Sequence, residues 1–173
     1  MTGLAQQKLL LDPGRVNFGA ALDGEPEPQR VVINFIVLGV PVAKKRPRFF
    51  LRGKHVGTYN AQETEEGRLR LDIARQLPVP WTLLKGPIRV ICRFYMRRPK
   101  SHYGTGKNSN TLKQRAPLYH TSTPDIDNLQ KTVYDCCNQV VWGDDACVFE
   151  SVSRKEYSDS PRTEITVEVF NDG

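Results

Sequence analysis

Residues 31–40, VVINFIVLGV, are a nearly unbroken run of β-branched and apolar side chains that stops at Gly39 and Pro41. Such a run reads as a strand, so the chain must build a sheet early and cover it. The run is also the chain's closest approach to a membrane segment, and FIVLGVPVA is interrupted by glycine and proline well short of the roughly eighteen apolar residues a span needs. A soluble protein without a membrane partner is expected.

The remaining periodicities are mixed. In AQETEEGRLRLDIARQLP the acids lead, Leu69, Ile73 and Leu77 recur every fourth residue, and Pro78 ends the run, which makes an amphipathic helix. PIRVICRFYM, 87–96, alternates apolar residues with arginines and reads as a half-exposed strand. A second helix is expected over Ile126 to Val140, with Ile126, Leu129, Val133, Cys136 or Cys137, and Val140 on its buried side. ACVFESVSRKEY and RTEITVEVF alternate apolar with polar around the turn-like SDSP, which suggests a closing hairpin. The order β-α-β-loop-α-β-β predicts an α+β domain: a small mixed sheet with two main helices over residues 30–173. Residues 1–29, ending in DGEPEPQ, read as a flexible extension with no targeting signal.

Cys92, Cys136, Cys137 and Cys147 do not reproduce the paired hooks of a structural zinc site, and the three histidines are scattered. Four reduced thiols in an intracellular, cytoplasmic or nucleoid-associated protein are the expectation.

Charge is distributed unevenly. The net +6 resolves into −1 over residues 1–40, +14 over 41–119 and −7 over 120–173. Between Lys85 and Lys113 there is no acidic residue at all, so these bases are not the interleaved salt-bridged face of a helix. A phosphate-binding surface is the better reading. VPVAKKRPRFFLRGKHVG gathers Lys44, Lys45, Arg46 and Arg48 on a segment that Pro41 and Pro47 keep extended or looping. SHYGTGKNSNTLKQRAPLYH brings Lys107, Lys113 and Arg115 on a long polar connection, of the kind that is functional more often than idle.

Against this basic background, TSTPDIDNLQKTVYDCCNQVVWGDD carries Asp125, Asp127, Asp135, Asp144 and Asp145. Taken singly, each has an ordinary explanation: Asp125 or Asp127 caps the helix, Lys131 pairs with a neighbouring acid, and Asp144 and Asp145 make a turn after Gly143. Taken together they are harder to dismiss. Asp127, Lys131 and Asp135 stack at four-residue intervals on the polar side of one helix, and a short connection lets Asp144 and Asp145 fold back toward Asp125 and Asp127. Three or four carboxylates brought close repel unless a cation or proton intervenes, and oxygen-only donors suit Mg²⁺.

PDIDNLQKTVYDCCNQVVWGDDACV, with GVPVAKKRPR upstream, resembles the RusA family of Holliday junction resolvases, particularly phage-type members, over about residues 32–170. The resemblance implies a homodimeric, Mg²⁺-dependent crossover junction endodeoxyribonuclease, with Mn²⁺ able to substitute and no small-molecule cofactor. It would make paired symmetric nicks in four-way branched DNA during recombination and repair. By the same resemblance Asp125, Asp127 and Asp145 are the catalytic metal-binding carboxylates, Asp144 an auxiliary ligand and Lys131 the catalytic lysine. Lys44, Lys45, Arg46, Arg48, Lys107, Lys113 and Arg115 would contact DNA. Some family members carry a basic residue immediately before the first catalytic aspartate, where this chain has Pro124. The alternatives left open are a broader flap or fork nuclease and a non-catalytic junction-binding protein.

Overall fold

A computed structural model of the chain describes residues 30–45, 48–52, 55–59 and 63–170. The six strands and two helices run β1 (Arg30–Leu38), β2 (Arg48–Arg52), β3 (His55–Tyr59), α1 (Glu63–Ala74), β4 (Ile88–Arg97), α2 (Ile126–Cys137), β5 (Val148–Ser158) and β6 (Arg162–Phe170). The expected α+β architecture is present, with a mixed four-stranded sheet in the order β1-β6-β4-β5. The expected extension at residues 1–29 lies outside the described residues.

β4 explains why the sheet has a dry face. Its alternation puts Ile88, Val90, Cys92, Phe94 and Met96 into the core and leaves Arg89, Ile91, Arg93 and Tyr95 on the other side. β6 repeats the pattern with Ile165, Val167 and Val169, and β1 adds Phe35 and Val37. Both helices cover this one face: α1 contributes Leu69 and Ile73, and α2 contributes Leu129, Val133, Cys136 and Cys137 to the same cluster. Burying each large side chain contributes about 2 kcal/mol, so one helix turn over this sheet offsets much of its ordering entropy. The opposite face is kept compatible with water by ion pairs, among them Arg89 with Glu150 at 3.1 Å and with Glu168 at 3.4 Å.

Three expectations are corrected. The expected order lacked two strands: β2 and β3 pair antiparallel as a two-stranded sheet of their own, separated by two residues, a spacing typical of tight hairpins. α2 ends at Cys137 and not at Val140, because Gln139 adopts a left-handed φ of 60°, and Val140 packs on the core from the turn beyond. Ile126 is exposed and not part of the buried stripe.

A fourth correction concerns topology. β5 and β6 do not form a hairpin. β4 lies between them, parallel to β5 and antiparallel to β6. Alternation identifies a strand but not its partner, and the link 159–161 is long enough to step over the end of β4: two strand spacings are about 10 Å, and four Cα steps reach up to roughly 13 Å. The Arg98 amide, just past β4, donates to the Ser158 carbonyl at 3.2 Å and ties the crossing down.

β5 is the strand at the site's edge of the sheet, and the long basic connection is bolted to its free side. Tyr119 bridges Glu156, the Tyr157 amide donates to the Leu118 carbonyl at 2.8 Å, and the His120 amide donates to the Lys155 carbonyl at 3.1 Å. The connection is therefore ordered. Arg98 runs beneath it with a side chain only 8% exposed, donating to the carbonyls of Pro117 at 2.9 Å and Tyr157 at 3.2 Å. His102 and His120 both pack against the Tyr157 ring.

Candidate active site

α2 begins where the chain returns from the basic connection. Asp125 stands at the N-cap in extended backbone, yet its side chain makes no capping hydrogen bond. The ordinary explanation for an aspartate there does not hold, and the carboxylate is exposed and uncommitted. Asp127, in the first turn, is also exposed and faces the positive end of the helix dipole.

After α2 the chain doubles back through Trp142 and Gly143 into a short 3-10 turn at Asp145–Cys147. The two adjacent aspartates divide here. The Asp144 side chain accepts from the Ala146 amide at 2.8 Å, so its turn-building role is real. Asp145 is held differently: the fully buried Trp142 gives its only side-chain donor, Nε1, to Asp145 Oδ1 at 3.1 Å. Trp142 in turn packs edge-on against Tyr134 of α2 at 5.9 Å. An aromatic three residues before an acid carries no motif of its own, so nothing in the residue pattern marks this anchor.

The fold-back brings Asp127 and Asp145 to one open cleft of roughly 220 Å³, lined also by Gln130, Lys131, Tyr134 and Asp135. Lys131 is exposed and makes no ion pair with any described residue, so it is not the salt-bridge partner that its spacing from Asp127 and Asp135 allowed. Gln130 accepts from the Ser153 hydroxyl at 2.9 Å, which fixes that wall to β5. Burial raises the Tyr134 phenol above its ordinary 10, so it stays protonated. Asp125 and Asp144 do not line the cleft.

Lys44 is placed far from the role its sequence context suggests. Its ammonium sits between Asp135 at 2.8 Å and Glu66 at 3.0 Å, joining α2 to α1, while its backbone amide donates to the Asn128 carbonyl at 2.9 Å. Burial alone would lower its pKa, but the hydrogen bonds and charges of Asp135 and Glu66 outweigh that and raise it. Arg70 adds a bond to the Asp135 carbonyl at 2.7 Å. Lys44 thus braces the helix that carries the site. Lys45 is exposed and 4.0 Å from Glu65. Arg46 and the Arg48 side chain lie outside the described residues. On the long connection Lys107 and Arg115 are exposed, and Lys113 donates to the Ser101 carbonyl at 2.8 Å.

Among the described residues no group of three or more His, Cys, Asp or Glu is close enough to hold a metal ion. Asp127 and Asp145 alone fit a different kind of site: Mg²⁺ takes one or two carboxylates and completes its shell with water and substrate phosphate, which an open cleft admits. The cysteines offer neither ligand nor nucleophile. All four are free, and burial pushes the Cys92 thiol up to about 12 and the Cys136 thiol to about 11.

Exposed Asp127, an anchored Asp145 and a lysine without an ion pair among the described residues share one cleft beside a basic connection, which is what an enzyme needs to receive a phosphodiester backbone, and the class is that of a nuclease. The family model for Endodeoxyribonuclease RusA matches residues 39–168. This chain belongs to the RusA endodeoxyribonuclease family. Among curated proteins it is 30% identical over 135 residues to "Uncharacterized protein YqaN" of Bacillus subtilis (strain 168), an alignment that covers 78% of this chain and 94% of that one. No helix among the described residues is long and apolar enough to cross a membrane.

Proposed function

We propose that this protein is a homodimeric, Mg²⁺-dependent Holliday junction resolvase that makes paired symmetric nicks in four-way DNA, within the cell's recombination and repair of DNA. The observation that carries the proposal is the meeting of Asp127, Asp145 and an unpaired Lys131 at one open cleft.

Each residue has a task there. Asp127 and Asp145 would hold the cation, Asp145 being kept in register by Trp142, and Asp125, whose carboxylate caps nothing, would serve as the third carboxylate. A divalent cation at this position supplies acidification of a water and neutralisation of phosphate charge. Lys131, with no carboxylate to satisfy it, turns its ammonium to the negative charge that builds up on the phosphoryl oxygens. Asp144 supports the turn and leaves ligation to its neighbour. Lys107, Lys113 and Arg115, with Lys45, Arg46 and Arg48, track the DNA backbone, so binding weakens steeply with salt. Two-fold symmetry presents one cleft to each of two opposed strands.

The test is an end-labelled synthetic four-way junction beside its matching linear duplex, in Mg²⁺ and then in EDTA. Symmetric, Mg²⁺-dependent nicks in the junction alone are expected. Cleavage of flaps and forks at equal rates would replace the resolvase with a broader branched-DNA nuclease. Tight junction binding without cleavage under any divalent metal would leave a DNA-binding protein.

A further inference from the structure

Asp125 poses a problem of support. It stands at the head of α2 with a carboxylate that caps nothing, so the helix itself does not fix where that carboxylate points. The residue before it, Pro124, has no amide proton to contribute. Something else must hold the segment through which the chain arrives.

That support comes from β5. Lys155 donates from Nζ to the Pro124 carbonyl at 2.7 Å and to the Ser122 carbonyl at 2.9 Å, while its own carbonyl accepts the His120 amide at 3.1 Å. One residue of the sheet therefore grips the 120–124 segment at three points. The Pro124 carbonyl belongs to the same peptide plane as the Asp125 nitrogen, which brings the ammonium to within roughly 5 Å of the Asp125 Cα. Lys155 also pairs with no carboxylate among the described residues, unlike Lys44, whose charge two acids share. Carbonyls take up two of its three protons and leave its net charge in place.

We infer that Lys155 is a positioning residue for the carboxylate site: it lashes the Ser122–Pro124 segment to β5, and so aims Asp125 while setting an uncompensated positive charge beside it. The inference rests on the nuclease reading for its effect on cleavage, but its structural half stands independently. A mere surface lysine would bind DNA and leave the loop alone. A positioning lysine changes turnover more than affinity and loosens the backbone it holds.

The experiment compares full-length wild type, Lys155→Met, Lys155→Arg and Asp127→Asn. Three quantities are measured: hydrogen exchange at amides 120–126, affinity for a synthetic four-way junction in EDTA, and cleavage in Mg²⁺. For Lys155→Met we expect exchange at 120–126 to rise about tenfold or more, turnover to fall roughly thirtyfold and junction affinity to stay within about threefold, as loss of charge-assisted bonds behind a site predicts. Lys155→Arg should recover part of the turnover. Unchanged exchange, unchanged turnover, or equal losses in turnover and affinity would each overturn the inference. Should Lys155→Met fail to fold, Lys155→Arg and Lys155→Gln are judged on the same criteria. If wild type cuts no branched DNA and Asp127→Asn changes nothing, the nuclease reading falls, and the exchange measurement alone decides the role of Lys155.

Discussion

The mouth of α2 and the basic connection between β4 and α2 carry opposite charge but are built on the same plan. At the mouth, Asp144 is spent on the turn while Asp127, in the first turn of α2, stays uncommitted. On the connection, Arg98 is spent on two carbonyls and nearly buried while Lys107 and Arg115 remain exposed. In each region one charge of a set fixes the backbone so that its neighbours of the same sign can be held, unpaired, in water. Counting charges in a sequence cannot separate the two kinds, because what distinguishes them is the partner each one finds.

Exchanging the two kinds of residue should break that comparison in different ways. Asp127→Asn removes an uncommitted carboxylate and should cut cleavage by roughly a thousandfold or more, with junction binding and thermal stability retained; a loss confined to binding would move Asp127 out of the chemistry. Trp142→Phe keeps the buried ring but frees Asp145 from its donor, and should lower turnover roughly ten- to a hundredfold with a stability loss of about 1–3 kcal/mol by urea titration. Full activity in that variant would show that Asp145 holds its place unaided. Arg98→Ala strands the Pro117 and Tyr157 carbonyls and should cost about 2–3 kcal/mol, whereas Lys107→Ala with Arg115→Ala should cost almost no stability and reduce the salt dependence of binding by about two charges. If the exposed pair destabilised the fold as much as Arg98→Ala does, the division of labour would collapse.

The smallest effect concerns pH. Burial first, and the nearby charge of Lys155 second, lower the His120 pKa below its ordinary 6.5. The unfolded chain then binds this proton more readily than the folded one, so His120 costs the fold nothing above about pH 6.5 and destabilises it progressively as pH falls below that. Wild type should therefore lose more stability between pH 7.5 and 5.5 than His120→Asn, as read from urea midpoints at the two values.

Much of this was legible beforehand. The α+β class, both helices and all four strands of the main sheet follow from periodicity, because burial on one face leaves a repeat that survives in the chain. Pairing did not: the partners of β5 and β6 depend on a three-residue link crossing β4, and nothing local records that. In the site, residue types and spacing pointed to Asp125, Asp127, Asp144, Asp145 and Lys131; Asp127, Asp145 and Lys131 line one cleft, whereas Asp125 and Asp144 do not. The ion pairs of Lys44 could not be read beforehand, since its acids, Glu66 and Asp135, lie on two different helices. Trp142 escaped notice for the reverse reason, as a core residue whose one polar atom faces the cleft's edge.

The crossing over β4 also sets the order in which the domain can come into being. Among the described residues β1 pairs only with β6, so Arg30 waits for Phe170 before it has its neighbour. Such long-range pairing makes for slow closure, and during synthesis the sheet stays open until β6 has left the ribosome. A partly made chain thus carries the aspartates without the sheet that aims them, which ties competence to cut DNA to nearly complete synthesis of the domain.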